Sequence, residues 1–328
     1  METPTGRSRP VALVAGASRG LGLLVAHELA ECGFAVAGLS RDVDALAGAR
    51  ETMRGWGVDL ATYVADVRDH ERIEAVVEEI ERDLGRIEVA IHVAGVIQVG
   101  PEDCFDRAHY EQAIDTMLWG PINVTQAVLP RMRERGRGRL GVVTSVGGMV
   151  SVPHLVPYST AKFGAVGYTR GLGAELAGTG VTATTIVPGL MRTGSHVQAT
   201  FVGDAGVEYA WFAPGASLPG VSMNADRAAK AMVAGVLQGR GLVMLSPLTQ
   251  VAVRAHGVAP GLVGAAMGVM ARLLPSGTSR ETVLGHDAKE RLDSDVVDTL
   301  TTLGDEASAR NNENRRPPEV TPAGAGNP

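Results

Sequence analysis

Val11-Ala12-Leu13-Val14-Ala15-Gly16-Ala17-Ser18-Arg19-Gly20-Leu21-Gly22 decides how the rest of the chain is read. Five apolar residues run into three glycines spaced Gly-x-x-x-Gly-x-Gly. A helical pattern follows, with Leu23, Leu24, Ala26, Leu29 and Ala30 at its apolar positions. Glycines at a strand-to-helix turn let the backbone approach a pyrophosphate, which then rests on the helix N-terminal N–H groups and dipole. The spacing differs from the Gly-x-Gly-x-x-Gly dinucleotide fingerprint. In a chain with 42 glycines such a turn can be mere punctuation. Its place between the first strand and the first helix favours the nucleotide reading.

Working outward, apolar runs alternate with longer amphipathic segments. Strands are expected at 10–15, 34–39, 58–65, 87–93, 139–145, 181–187 and 241–246, with helices at 20–32, 42–55, 69–84, 107–134, 157–177 and 225–238. Such alternation predicts an α/β fold with a doubly wound parallel sheet of about seven strands and right-handed crossovers. Hydrophobic residues make up 45% of the chain but aromatics only 4%, and Ala, Val and Gly dominate, as expected of strands buried on both faces. Ligands of such sheets bind at the carboxyl ends of the strands, near the point where strand order reverses. Gly16, Asp66, Gly95, Ser145 and Pro188 all fall at such ends.

Tyr158-Ser-Thr-Ala-Lys162 opens the helix expected at 157–177, with Ser145 upstream at the tip of a strand. Tyrosine and lysine at i and i+4 stack on one helix face. A free tyrosine titrates near pH ~10, and a nearby ammonium favours the phenolate and lowers that value. A general acid/base works best with a pKa near the operating pH. Ser145 would set a hydroxyl beside the phenol. Alone, Tyr-x-x-x-Lys is as well explained by an amphipathic helix with a surface lysine.

Taken together, these residues resemble the short-chain dehydrogenase/reductase family. The match comprises Gly16-Ala-Ser-Arg-Gly20-Leu-Gly22, Asp66-Val67, Ala94-Gly95, Ser145, Tyr158-Ser-Thr-Ala-Lys162, and Pro188-Gly189 followed by Thr193. The motifs occur in family order over roughly residues 9–246. The resemblance implies a Rossmann-like domain over 10–246, with a substrate lid at 194–224. It implies hydride transfer between a nicotinamide and a carbonyl or secondary alcohol. Tyr158 would be the general acid/base, and Ser145 would hydrogen-bond the substrate oxygen. Lys162 would tune the phenol and hold the nicotinamide ribose. Gly16, Ser18, Arg19, Gly20, Leu21, Gly22, Ala94 and Gly95 would hold the cofactor, Asp66 and Val67 its adenine, and Pro188, Gly189 and Thr193 its nicotinamide end. Two positions depart from the family pattern. His92-Val93-Ala94-Gly95 stands in place of Asn-Asn-Ala-Gly, and Met117 replaces a helix asparagine held to anchor a proton-relaying water. A thioether cannot donate a hydrogen bond, so that relay would need another route, for which a water held by His92 is one candidate.

The second strand of such folds ends near the adenosine ribose, where an acid selects NAD and an arginine favours the 2′-phosphate of NADP. Here it ends Gly38-Leu39-Ser40-Arg41-Asp42. Arg41 and Arg19 point to NADP, with Asp42 one step further on and read as facing solvent. The alternative from another class is an NADP-binding sensor or scaffold with little or no turnover, for which only Met117 and His92 speak.

The insertion 194–224 carries Phe201, Tyr209, Trp211 and Phe212, and the run Val251–Ala271 has little charge besides Arg254. Both suggest an apolar small-molecule substrate, although the aromatics can equally pack the insertion itself. A net charge of −6 and the lack of a basic stripe speak against nucleic acid. Two cysteines without CxxC fit a reducing cytoplasm. The histidines show no metal spacing, so no metal is expected. The N-terminal nine residues are polar and expected to be disordered. Residues 247–303 are expected to form a helical extension, with Leu273-Leu274-Pro275 as a stop. The apolar run 257–271 is shorter than the ~20 residues that span a bilayer. It reads as a packed helix pair or substrate gate, with peripheral membrane contact through 251–274 the minor option. Residues 304–328, rich in Asn, Pro, Gly and charge, are expected to be a disordered tail. Helices 107–134 and 157–177 are expected to form the interface of a homodimer or homotetramer, as the resemblance implies.

Overall fold

The computed structural model describes residues 9–314. Strand β1 (Val11–Ala15), helix α1 (Gly20–Glu31), β2 (Ala35–Ser40), α2 (Val43–Gly55), β3 (Ala61–Val64), α3 (His70–Asp83) and β4 (Ile87–His92) come first. After a short β5 (Gln98–Val99), α4 (Arg107–Ile114) runs through a π-helical turn at Asp115–Trp119 into α5 (Gly120–Glu134). Then come β6 (Gly138–Val143), α6 (Val156–Glu175) and β7 (Val181–Val187). Five short pieces follow: β8 (Met191–Arg192), α7 (Ser195–Gln198), β9 (Thr200–Phe201), α8 (Ala205–Ser217) and β10 (Met223–Asn224). Helix α9 (Ala225–Leu237) and β11 (Leu242–Met244) close the main sheet. The extension holds α10 (Pro247–Val258), α11 (Pro260–Ala271), β12 (Val283–Leu284), α12 (Gly285–Leu292) and α13 (Asp295–Arg310).

The main sheet is parallel throughout, in the order β11-β7-β6-β4-β1-β2-β3. Its order reverses between β1 and β4, which pair Ala15 with His92. All five residues of β1 are buried because helices cover both faces. One layer joins α1 and α9 through Leu23, Leu29, Met232 and Val236. The other joins α3 and α5 through Ile73, Val77, Val124 and Val128. Near-continuous apolar strands are what such a sheet requires, and they are why its strands were legible.

Four expectations change. The helix expected at 107–134 is interrupted by the π turn, whose wider loop carries Met117; periodicity alone does not register one inserted residue. The aromatics of 194–224 turn inward. Phe201, Tyr209 and Phe212 are buried together and meet edge to face, so they form the insertion's own small core. The tail expected to be disordered from residue 304 is, as far as Asn314, ordered: Gly304 to Arg310 lie in α13 and the next four residues fold back on the body. The buried face of α13 consists of Val297, Thr301, Gly304, Ala307 and Ser308. Small and hydroxyl-bearing residues leave almost no hydrophobic period to read. Residues 1–8 and 315–328 of the expected disordered ends lie outside the described residues. Helix α11 buries none of its residues, so it is not packed on the body as a gate would be.

Candidate active site

The loop from β1 to α1 is shaped by its glycines. Gly16 sits at φ 91°, and a Cβ there would stand 2.5 Å from the backbone nitrogen of Ala94. A Cβ on Gly22 would collide with the carbonyl oxygen of Gly16. The two contacts bring the loop, the start of α1 and the end of β4 together with no side chain between them. No side chain caps α1 at Arg19, and its first turn holds no acid. That leaves a helix N-terminus suited to an anion. Ser18 in this loop and Leu21 in the first turn of α1 are buried.

Across the β1/β2 edge, Arg41 is 40% exposed and lies 3.7 Å from Asp66, whose carboxylate is also held at 2.7 Å by Arg68. Burial would raise the Asp66 pKa, but the hydrogen bonds and charge of Arg68 outweigh it and hold the carboxyl below its usual range. Arg68 is a member of this edge that the sequence reading did not single out. Asn123, also missed, donates to the carbonyl of Val67 at 2.9 Å and clamps the loop to α5. Asp42 does not face solvent as expected: its side chain accepts from Ala45 N–H at 2.9 Å and caps α2. Arg19 feels Arg41 and Asp42, so the two arginines share one locality.

At the end of β6, Ser145 is buried, and its Oγ accepts from Gly147 N–H at 3.0 Å. The Tyr158 ring lies against the same glycine as the Ser145 hydroxyl. Burial pushes the phenol above its usual pKa and Ser145 pulls it back in part. Lys162, one turn on, is buried with Nζ 5.7 Å from the Tyr158 ring centroid. Its ammonium donates to the carbonyl of Val143 at 2.8 Å, and burial brings its pKa down to about 8. The expected lowering of the tyrosine by this lysine is therefore not the governing effect here. The ammonium is turned to a backbone carbonyl and burial of the phenol prevails. Pro188 accepts from Val146 N–H at 2.8 Å, Gly189 packs against Thr249 and Ser246, and Thr193 is buried beyond them. The sequence-named residues thus gather at one edge of the sheet.

Met117 is buried with Ala113 and Ala161 and packs against the half-buried Tyr158, its sulfur against Gly95. That is a packing role. His92 is 2% exposed with Nε2 lacking a hydrogen-bond partner. Burial, then the Lys162 charge, drives its pKa down to about 3, so it does not titrate near neutrality. Met117→Asn is expected to cost ~1–3 kcal/mol, because a buried amide replaces a thioether among apolar neighbours. Thermal unfolding checks this. An unchanged melting temperature with an altered pH–rate profile would instead restore the proton-relay role to this position.

Residues 10–200 match the family described as short chain dehydrogenase. The chain belongs to the short-chain dehydrogenase/reductase family. Among relatives of this short-chain dehydrogenase is a protein from Streptomyces violaceoruber described as ketoacyl reductase 1 of the granaticin polyketide synthase. It is 36% identical over 193 residues, covering 58% of this chain and 71% of that protein. Acetoacetyl-CoA reductase of Paracoccus denitrificans is 33% identical over 183 residues, covering 56% and 74%. A crystal structure of a singly substituted actinorhodin polyketide ketoreductase with NADPH aligns with a TM-score of 0.63 at 30% identity, covering 72% of this chain and 95% of that one. Among the described residues no helix is long and apolar enough to cross a membrane, and no group of His, Cys, Asp or Glu is placed to hold a metal.

Proposed function

We propose that this short-chain dehydrogenase uses NADP(H) and reduces a ketone with Tyr158 as proton donor. The observation that carries the reading is the gathering of Ser145, the half-buried Tyr158 and the buried Lys162 at the mouth of β6, with the Ser145 hydroxyl and the Tyr158 ring both against Gly147 and Lys162 Nζ 5.7 Å from the ring centroid. NADP(H) supplies the hydride. Ser145 holds the substrate oxygen as negative charge develops there, and Tyr158 delivers a proton to it. A phenol whose pKa is raised by burial is protonated at neutral pH, which suits reduction. Lys162, mostly charged below about 8, steadies the phenolate that forms. The glycine cradle fits a dinucleotide diphosphate, and Thr193 fits its nicotinamide end.

For the substrate, the aromatics of the insertion no longer argue for an apolar ligand, since they pack on one another. Similarity to ketoacyl and acetoacetyl-CoA reductases supports a ketone on an acyl chain instead. Trp119 and Phe163, exposed on the two helical segments expected to pair, support a homo-oligomer. The reading is tested by NADPH oxidation across β-ketoacyl thioesters, quinones, steroids and simple ketones. Turnover of acyl-chain ketones is expected. Tight NADPH binding with no carbonyl reduced would favour the sensor reading.

Arg41→Asp is expected to weaken NADPH at least about tenfold relative to NADH, about 1.4 kcal/mol, because a repulsion replaces an attraction at the 2′-phosphate. Titration of both cofactors checks this. Equal affinity of the wild type for the two would overturn the NADP assignment.

A further inference from the structure

Beyond α13 the chain turns back over the glycine loop. Asn312 adopts φ 60°, and the residues around it bridge the two sides of the cradle. The carbonyl of Asn311 accepts from Gly20 N–H at 2.8 Å, and its side-chain amide donates to the carbonyl of Thr193 at 3.3 Å. The Asn312 amide donates to the carbonyls of Ser18 at 2.8 Å and Ala45 at 3.0 Å. Glu313 N–H donates to Ser308, and its carbonyl accepts from the Gln198 amide. The Glu313 carboxyl rests on the Cα face of Gly20, with Oε2 2.8 Å from where a Cβ of Gly194 would stand.

That carboxyl is the telling feature. Glu313 is 6% exposed, and its Oε2 has no hydrogen-bond partner among the described residues. It occupies the N-terminal end of a helix that has no side-chain cap and no acid in its first turn, the place a diphosphate would take. It also touches both the loop that would carry a diphosphate and the turn at Gly194 that would close over the nicotinamide.

We propose that residues 311–314 are a built-in occupant of the diphosphate cradle, and that a dinucleotide enters only after this segment lifts from Gly20 and Thr193. The proposal rests on the glycine loop being the diphosphate site. Helix α13 itself is well anchored. Asp305 bonds His196 at 3.1 Å and Lys289 at 2.8 Å, and Arg310 pairs with Asp226 at 2.7 Å. The four residues past it are held by neutral hydrogen bonds, from the Asn311 and Asn312 amides, from Gly20 N–H and the Gln198 amide, and from Ser308 to Asn314 at 2.6 Å, so they can leave while the helix stays.

Burial raises the seated Glu313 carboxyl from its ordinary 4.5 to about 8, against the opposing pull of Arg19. Arg41 and Asp42 act in turn on Arg19, while Arg310 on α13 is paired with Asp226, and the nearby His196 with Asp305. An acid whose pKa is higher in the seated state favours seating fully below 4.5 and loses that advantage as pH climbs to about 8. The segment therefore loosens toward alkaline pH.

The test uses the full chain and NADPH as the probe, by calorimetry and amide hydrogen exchange. A double variant, Asn312→Ala with Glu313→Ala, is expected to bind NADPH at least about tenfold tighter than wild type. In wild type, NADPH is expected to speed exchange at the amides of 311–314. The affinity gap between the two proteins should narrow as pH rises from about 6 toward 8. Equal or weaker binding by the double variant would overturn the proposal while leaving the nucleotide site intact. If that variant does not fold, slower exchange of 311–314 on adding NADPH to wild type is the overturning result. A gap that widens with pH removes the carboxyl from the device. Failure of both proteins to bind NADPH or NADH overturns the glycine-loop reading and the occupant together.

Discussion

Tyr158→Phe is expected to lower kcat by about three orders of magnitude, ~4 kcal/mol in the barrier, with cofactor affinity within about twofold of wild type. The change removes one oxygen, the phenol on the ring beside Ser145 that would deliver the proton. Ser145 keeps its contact with Gly147 N–H, so the strand tip stays in place. Lys162→Ala should instead damage turnover and cofactor affinity together, because the ammonium sits behind the ring and fixes the local charge. The pH dependence follows from the directions of the shifts. A phenol raised by burial keeps its proton through neutrality, so ketone reduction stays flat there and falls as Lys162 loses its charge above about 8. Alcohol oxidation needs the phenolate and should grow as pH rises. If Tyr158→Phe retained more than about a tenth of the activity, the phenol would not be the acid.

The sheet was legible because its physics is local. Strands such as Val11–Ala15 are buried on both faces and so are apolar throughout, and each ends in a residue the crevice needs. The Ser145, Tyr158 and Lys162 constellation was legible for the same reason: one helical turn and one strand tip fix it. What was not legible depends on contacts remote in sequence. The remote partner here is Arg41: Arg68 lies two residues from Asp66, but its place at the cofactor edge shows only once Arg41 closes on the same carboxylate. The fate of Phe201 and Tyr209 depends on whether β9, α8 and α12 close on each other, which no periodicity tells. The segment after Arg310 is the extreme case. Asn311 and Asn312 bond partners nearly three hundred residues away, and with Glu313 they are polar residues that composition alone assigns to solvent. The available signal was the asparagine-rich run directly after a helix, and asparagine readily takes the left-handed backbone found at Asn312.

Gly22→Ala is expected to weaken NADPH binding by at least about a hundredfold while the protein still folds. The added methyl would be driven into the carbonyl oxygen of Gly16, and Ala17 Cα lies 3.3 Å from the same point. Both neighbours are backbone, so neither can rotate away. The loop must open, and the opening falls on the peptide groups that would face the diphosphate. Overpacking of this kind costs about 1–3 kcal/mol of stability, so melting should drop by a few degrees. Gly33→Ala separates this crowding from the ordinary strain of glycine replacement. Gly33 has φ 90° but no atom within 4 Å of its would-be Cβ. There the substitution should cost ~1–2 kcal/mol of stability through backbone strain and leave cofactor affinity unchanged. A folded Gly22→Ala protein that bound NADPH as wild type does would place the diphosphate elsewhere. It would also leave Glu313 seated on a helix end with no ligand to displace it.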